Sequence, residues 1–304
     1  MPKHSPLPSV FGSRPFRLGD ATSRGVTRGR LRGSDLAAPY PGVRRPSSVA
    51  GHPITDYLPR MRSGQYFSGV TAALIHDLYL PWRLERAVTP LHVTAISPRR
   101  APRTAGVVGH QAEPGRLRVE RVRGVPVVSA VDTWCQLASE LSLEALVVMG
   151  DGLVRRQDPV ATLTQLTEAV ARFTGAPGCG TLREALALVR PRTDSPRETR
   201  LRLLIRAAGL PEPVVNYPIL DRFGNFLAYG DLAYPKEKVL VEYDGAHHFE
   251  SPEQGLNDVD RLEPIMADGW RIIHVTKRHV SDVRSPRIRA IREALIERGW
   301  HPPS

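Results

Sequence analysis

Glu242, Asp244 and His248 close the stretch Val239-Leu240-Val241-Glu242-Tyr243-Asp244-Gly245-Ala246-His247-His248. Val239, Leu240, Val241 and Tyr243 read as a strand. Strand side chains alternate faces, so Glu242 and Asp244 share one face, about 7 Å apart along it. Two like charges at that spacing need a cation. Gly245 breaks the strand and brings His248 within reach of whatever the acids hold. Clustered carboxylate oxygens suit Mg²⁺ or Mn²⁺. Such an ion lowers the pKa of a bound water and offsets charge building on a phosphate, and His248, with an unperturbed pKa of about 6.5, could pass a proton to the leaving oxygen. The plain structural alternative is a solvated edge strand with ordinary turn histidines.

Two more acids are brought to this stretch by the elements before it. Asp231 lies late in the apolar run Phe226 to Ala233, between Gly230 and Leu232. The turn Pro235-Lys236-Glu237-Lys238 then folds back, which sets Asp231 and Glu242 on neighbouring strands. Glu198 belongs to Ser195-Pro196-Arg197-Glu198, a helix start with Ser as cap, Pro first and Glu third. Leu201, Ile205 and Ala208 follow on the same helical face, so capping and chemistry both fit Glu198. Asp221-Arg222-Phe223-Gly224-Asn225 has hairpin chemistry and joins the strands Val214 to Ile219 and Phe226 to Ala233. After Asp244 the pattern gives a helix near Pro264, a strand from Trp270 to Thr276 and a basic helix from Arg287 to Arg298. The order helix, strand, strand, strand, helix, strand, helix describes a sheet covered by helices, an α/β arrangement within an α+β chain.

Earlier in the chain a helix begins after Ser68, and short strands are expected at 91–96, 106–109, 117–122 and 125–128. A helix capped by Ser129 buries Trp134 and Cys135, with Cys135 as packing rather than nucleophile. Further helices are expected near 143–155, 159–173 and 181–189. In the first of these Leu143, Leu146, Val147 and Met149 turn inward, leaving Glu144 and Asp151 to water. Pro191-Arg192-Thr193-Asp194-Ser195-Pro196, with two prolines within six residues, marks a boundary.

The chain has 304 residues, 41% hydrophobic and 24% charged, with a net charge of +11. Length allows about two domains. Residues 1–50 carry nine Lys or Arg against Asp20 and Asp35, a net of +7, with much Pro, Gly and Ser and no apolar period. They read as a flexible basic arm that grips nucleic acid, or as a linker. Residues 51–190 then form a mixed helix and small-sheet domain, and 191–304 the domain with the acids. Cys135 and Cys179 lack metal-ligand spacing, and no apolar run reaches the 18 or more residues a membrane helix needs, so a cytoplasmic protein with no membrane partner is expected.

Residues 190–285 resemble the endonuclease-like domain related to very-short-patch-repair nucleases, within the PD-(D/E)xK superfamily. The likeness is carried by Glu198, Asp231, Glu242-Tyr243-Asp244-Gly245, His248, Asp258, Arg261 and Gly269-Trp270-Arg271. It implies a restriction-endonuclease-like sheet and a Mg²⁺- or Mn²⁺-dependent DNA endonuclease. Asp231, Glu242 and Asp244 would hold the ion, Glu198 would position a second ion or a metal water, and Lys238, Arg261, Arg287 and Arg289 would contact the nucleic acid. Residues 65–190, through Phe67-Ser68-Gly69-Val70-Thr71-Ala72-Ala73-Leu74-Ile75-His76, are similar to AbiE-type antitoxin-like proteins, which leaves room for a toxin or other protein partner. Two departures stand out. Asp244 occupies the place where the superfamily carries a Lys that orients the attacking water, so either the acids hold metal differently, with His248 or Lys238 assisting, or hydrolysis has been lost. Residues 1–50 show no helical period for the winged-helix reader of antitoxin-like relatives. A nuclease, a non-catalytic nucleic-acid-binding or antitoxin-like regulatory module on the same fold, and a purely structural role are the three readings.

Overall fold

The computed structural model describes residues 5–244, 262–276 and 282–302. The chain divides into two compact units, Met1–Ser139 with Arg172–Gly175, and Glu140–Ala171 with Ala176–Ser304. Each combines helices with sheet, so the chain is α+β.

Residues 5–50 are not a free arm. They contain β1 (Phe16–Arg17), α1 (Leu18–Thr22), β2 (Leu36–Ala37) and β3 (Val43–Pro46), and the strands pair antiparallel in the order β1-β3-β2. Phe11, Phe16, Ala21, Val26 and Leu31 are buried together at its centre. These apolar residues fall about five apart, a spacing of neither helix nor strand, which is why periodicity passes over them. Part of the positive charge is used internally: Arg30 grips Asp35 with two parallel bonds of 2.9 and 2.6 Å. The rest of the first unit runs through α2 (Pro53–Tyr57), β4 (Gln65–Phe67), α3 (Gly69–Ile75), α4 (Trp82–Glu85), β5 (Leu91–Ile96), β6 (Val107–Ala112), β7 (Val119–Val122), β8 (Val125–Val128) and α5 (Ala130–Gln136). Its five strands form one mixed sheet, β6-β5-β4-β8-β7, with Tyr57, Phe67, Leu91, Val93 and Val127 in the core. Cys135 is buried in α5, and burial pushes its thiol far above the usual range, as a packing role requires.

The second unit begins earlier than the prolines near 190 suggest. It takes in α6 (Leu143–Leu153), most of α7 (Leu163–Arg172) and α8 (Cys179–Leu188) before α9 (Pro196–Ala207), because α6 packs against both α8 and α9. That packing overturns the exposure expected for Asp151. Helix α6 is buried on nearly all sides, and Asp151 has no exposed surface. Its carboxylate accepts from Thr199 Oγ1, Arg202 Nη2 and the Arg190 amide, each at 2.8 Å. Glu144 does face water.

Beyond α9 come β9 (Val214–Leu220), β10 (Phe226–Tyr234), β11 (Val239–Asp244), the helical segment 262–267 (α10), β12 (Arg271–Thr276) and α11 (Pro286–Glu297). This is the element order expected from the sequence. The sheet order is β12-β11-β10-β9, antiparallel except for the parallel pair β11 and β12. One face carries Leu232, Val239, Val241 and Val275 against Leu201 and Ile205 of α9 and Ile288 and Ile291 of α11. The other carries Ala233 and Leu240 against Ile265 of α10 and Trp270. Among the described residues, no helix is long and apolar enough to cross a membrane.

Candidate active site at the fork of β10 and β11

Regular pairing of β10 with β11 ends at Leu232 and Val241. Asp231 and Glu242 are the next residues out, so they stand where the two strands part. Their carboxylates close the opening reciprocally: Asp231 Oδ2 accepts from the Tyr243 amide at 2.8 Å, and Glu242 Oε1 accepts from the Asp231 amide at 3.4 Å. Glu242 is 6% exposed. Side chains thus substitute for ladder bonds, which fixes both acids against the backbone of the opposite strand.

A break in strand alternation adds a third acid. Val215 and Leu232 pack under α9 and α11, yet Ile219 and Ala228, an even number of residues away on the same strands, pack under α10. The faces exchange at the rung where Asn216 lies opposite Asp231, as the flanking pairs Val215–Leu232 and Tyr217–Gly230 require. Asn216 has φ of +44°, a left-handed conformation that Asn tolerates better than most residues. Its amide donates from Nδ2 to Glu198 Oε2 at 3.0 Å and to the Arg192 carbonyl at 2.8 Å. Glu198 also accepts from the Asp194 amide at 3.0 Å, while Ser195 Oγ accepts from the Glu198 amide at 3.2 Å. The capping role read from the sequence is therefore real, and it holds the carboxylate in place. Burial, and after it the negative charge of Asp231, push the Glu198 carboxyl up to about 7. The bonds from Asp194 and Ser195 oppose that rise without cancelling it.

Asp244, at the end of β11, is engaged from the neighbouring parallel strand. His274 of β12 lies opposite Glu242 in the parallel register, and its Nδ1 is 3.0 Å from Asp244 Oδ1. In the neutral imidazole whose Nδ1–H donates to Asp244, Nε2 is the acceptor. Its only signal in sequence was a histidine inside an apolar strand. Asn216 gave less, since a side chain's left-handed backbone is not written in its type.

The remaining expected residues divide. His248 and Arg261 lie outside the described residues. Lys238 cannot assist the acids: it precedes β11 at the end remote from Asp244, about 13 Å along the strand from Glu242, and its Nζ is held by Asp268 at 2.9 Å. Arg287 and Arg289 are exposed on α11, which covers the face opposite Leu240 and Glu242, so they do not line the fork. Other cations lie closer. Arg197 stacks over Tyr243 at 5.6 Å, and Arg156 and Arg192 lie over Tyr229 at 4.5 and 6.0 Å. Tyr229 in turn packs against Phe226, ring centroids 4.9 Å apart, and the two are 37% and 54% exposed. A guanidinium and aromatic strip therefore runs beside Asp231 on β10.

Among the described residues, no three His, Cys, Asp or Glu side chains are grouped as a ready set of metal ligands. The fork still suits Mg²⁺, which keeps several waters and takes only one or two carboxylates from a protein. Asp231 and Glu242, opposite each other on one rung and both oxygen donors, are the two residues that could supply such a pair. No family model matches the chain, and no solved structure matches it. It is similar to two curated proteins from two strains of Mycobacterium tuberculosis, both described as uncharacterized, at 28% identity over 181 residues. That match covers 60% of this chain and 64% of each relative's length.

Proposed function

We propose that the second unit is a metal-dependent nuclease that hydrolyses phosphodiester bonds of DNA, with its site at the fork of β10 and β11. The observation that carries this reading is the fork itself, where Asp231 of β10 and Glu242 of β11 face each other and where burial, and after it the charge of Asp231, push the carboxyl of Glu198 on α9 up to about 7. Structural acids are usually answered by a cation; a carboxyl tuned to about 7 by burial and a like charge suits proton transfer. Asp231 and Glu242 would hold Mg²⁺ or Mn²⁺, which supplies charge neutralisation at the phosphate and a more acidic bound water. Glu198 takes or returns a proton at neutral pH, and Asn216 together with the Asp194 amide holds it in one orientation. His274, fixed by Asp244, offers Nε2 as a second proton acceptor and stands in for the Lys of the superfamily's usual pattern. Within the strip, Tyr229 and Phe226 would stack on unpaired bases and Arg192 would neutralise a phosphate, while Arg156, paired with Asp194, would hold the Tyr229 ring in place.

That strip favours one other reading, binding without cleavage. The test is incubation of purified protein with supercoiled and linear DNA in Mg²⁺, Mn²⁺ or EDTA, beside Asp231→Asn and Glu242→Gln. These variants keep the acceptors that close the fork, so the strands stay joined while the ligand charge is lost. Metal-dependent cutting that falls at least about a hundredfold in both variants is expected. DNA binding that ignores metal, with no cutting by the wild type, leaves the binding module standing and the nuclease refuted.

A further inference from the structure

The first unit contains a cavity of about 500 Å³ lined by Arg17, Arg60, Arg62, Arg100 and Arg103. No Asp or Glu shares its wall, so five positive charges face one space without a carboxylate among the lining residues. Two of them are set in place by neutral acceptors. Arg17 donates from Nε to the Pro59 carbonyl and from Nη2 to the Met61 carbonyl, the latter at 2.8 Å. Arg60 donates from Nε to Thr104 Oγ1 at 3.2 Å and from Nη1 to the Pro41 carbonyl. Such bonds orient a guanidinium and leave its charge intact, whereas a salt bridge would neutralise it. Arg62, Arg100 and Arg103 are exposed and complete the ring.

The loop carrying Arg100 and Arg103 is held close by a missing side chain. Gly109 of β6 lies against it so tightly that a Cβ there would stand 2.1 Å from the Pro102 carbonyl oxygen. The fold thus fixes an arginine-rich loop against a strand, over a cavity whose other wall holds two more preoriented guanidinium groups. Fixed, planar, multiply donating cations are what recognition of a tetrahedral oxyanion needs, and bidentate contact to phosphate oxygens is the natural use of arginine.

We propose that this cavity is a binding site for a phosphate ester. The phosphate comes either from the backbone of a nucleic acid or from a free nucleotide, and the two are separable by experiment. The proposal does not rest on the nuclease reading of the second unit, and the measurement is made in EDTA so that no cleavage enters it.

Anisotropy of a fluorescein-labelled DNA duplex of about 20 base pairs is titrated at several salt concentrations, in parallel with a fluorescent ATP analogue. The triple variant Arg62→Ala/Arg100→Ala/Arg103→Ala removes only exposed side chains, and Arg28→Ala/Arg86→Ala removes exposed arginines of the same unit outside the cavity. If the site takes backbone, the triple variant weakens duplex binding about tenfold or more and lowers the salt slope by about two to three, while the control stays within about twofold. Gly109→Ala, which removes no charge but displaces the loop, weakens binding in the same direction. Loss of ATP-analogue binding with duplex binding unmoved assigns the phosphate to a free nucleotide. Equal losses in the triple variant and the control, or no change with either probe, overturn the site.

Discussion

Helix α9 holds two buried acids by opposite means. Asp151 of α6 is met by Arg202, which is itself fully buried and also reaches Glu212 at 2.9 Å and the Leu188 carbonyl at 3.0 Å. Burial pushes the Asp151 carboxyl up, and Arg202 opposes that rise without cancelling it. Four residues before Arg202, Glu198 is nearly as buried, yet its bonds come from the neutral groups of Asp194 and Asn216, and the charge that acts on it most strongly is the negative one of Asp231. One acid is compensated and the other is tuned. The difference separates an ion pair that holds three helices together from a carboxyl left in a state fit for proton transfer, within a single twelve-residue helix.

Three measurements break or sharpen that contrast. Arg202→Met leaves Asp151 buried without its cation and should cost about 3–5 kcal/mol in urea unfolding at pH 7. A loss below about 1 kcal/mol would mean that Arg202 does not stabilise the buried Asp151 carboxylate. Glu198 comes next, through pH. Its folded value of about 7 lies above the 4.5 of the free side chain, so between those values the native state retains a proton that the unfolded chain has shed. Stability from this group is therefore full below about 4.5 and lost as pH rises through 7, by about 3 kcal/mol. Glu198→Gln should flatten that fall, and parallel pH–stability curves for variant and wild type would remove the tuning argument. The smallest effect belongs to the cap. Ser195→Ala deletes the acceptor for the Glu198 amide and should cost about 1 kcal/mol, read by thermal unfolding.

What the sequence revealed was local. Ser195-Pro196-Arg197-Glu198 announces a helix start because cap, proline and acid sit within four residues, and the Pro235 to Lys238 turn delivers Asp231 beside Glu242 because a short turn leaves the strands little choice. Asp151 could not be read correctly, since its partners Thr199 and Arg202 lie 48 and 51 residues away. One helix face looked dry and the other wet only while α9 was out of view. His274 was hidden for a similar reason: the parallel pairing that sets it beside Asp244 crosses 30 residues of chain. The folded state of residues 5–50 escaped because Phe11, Phe16, Ala21, Val26 and Leu31 recur every five residues, a period of neither helix nor strand.

The carboxylate of Glu198 takes its bond from the amide of Asp194, so events at the fork are mechanically tied to the entrance of α9. That amide is a built-in gauge. Filling the fork with a cation, or removing the charge of Asp231, should alter how quickly its hydrogen exchanges with deuterated solvent, and so make the electrostatics of three side chains visible as the lifetime of one N–H bond.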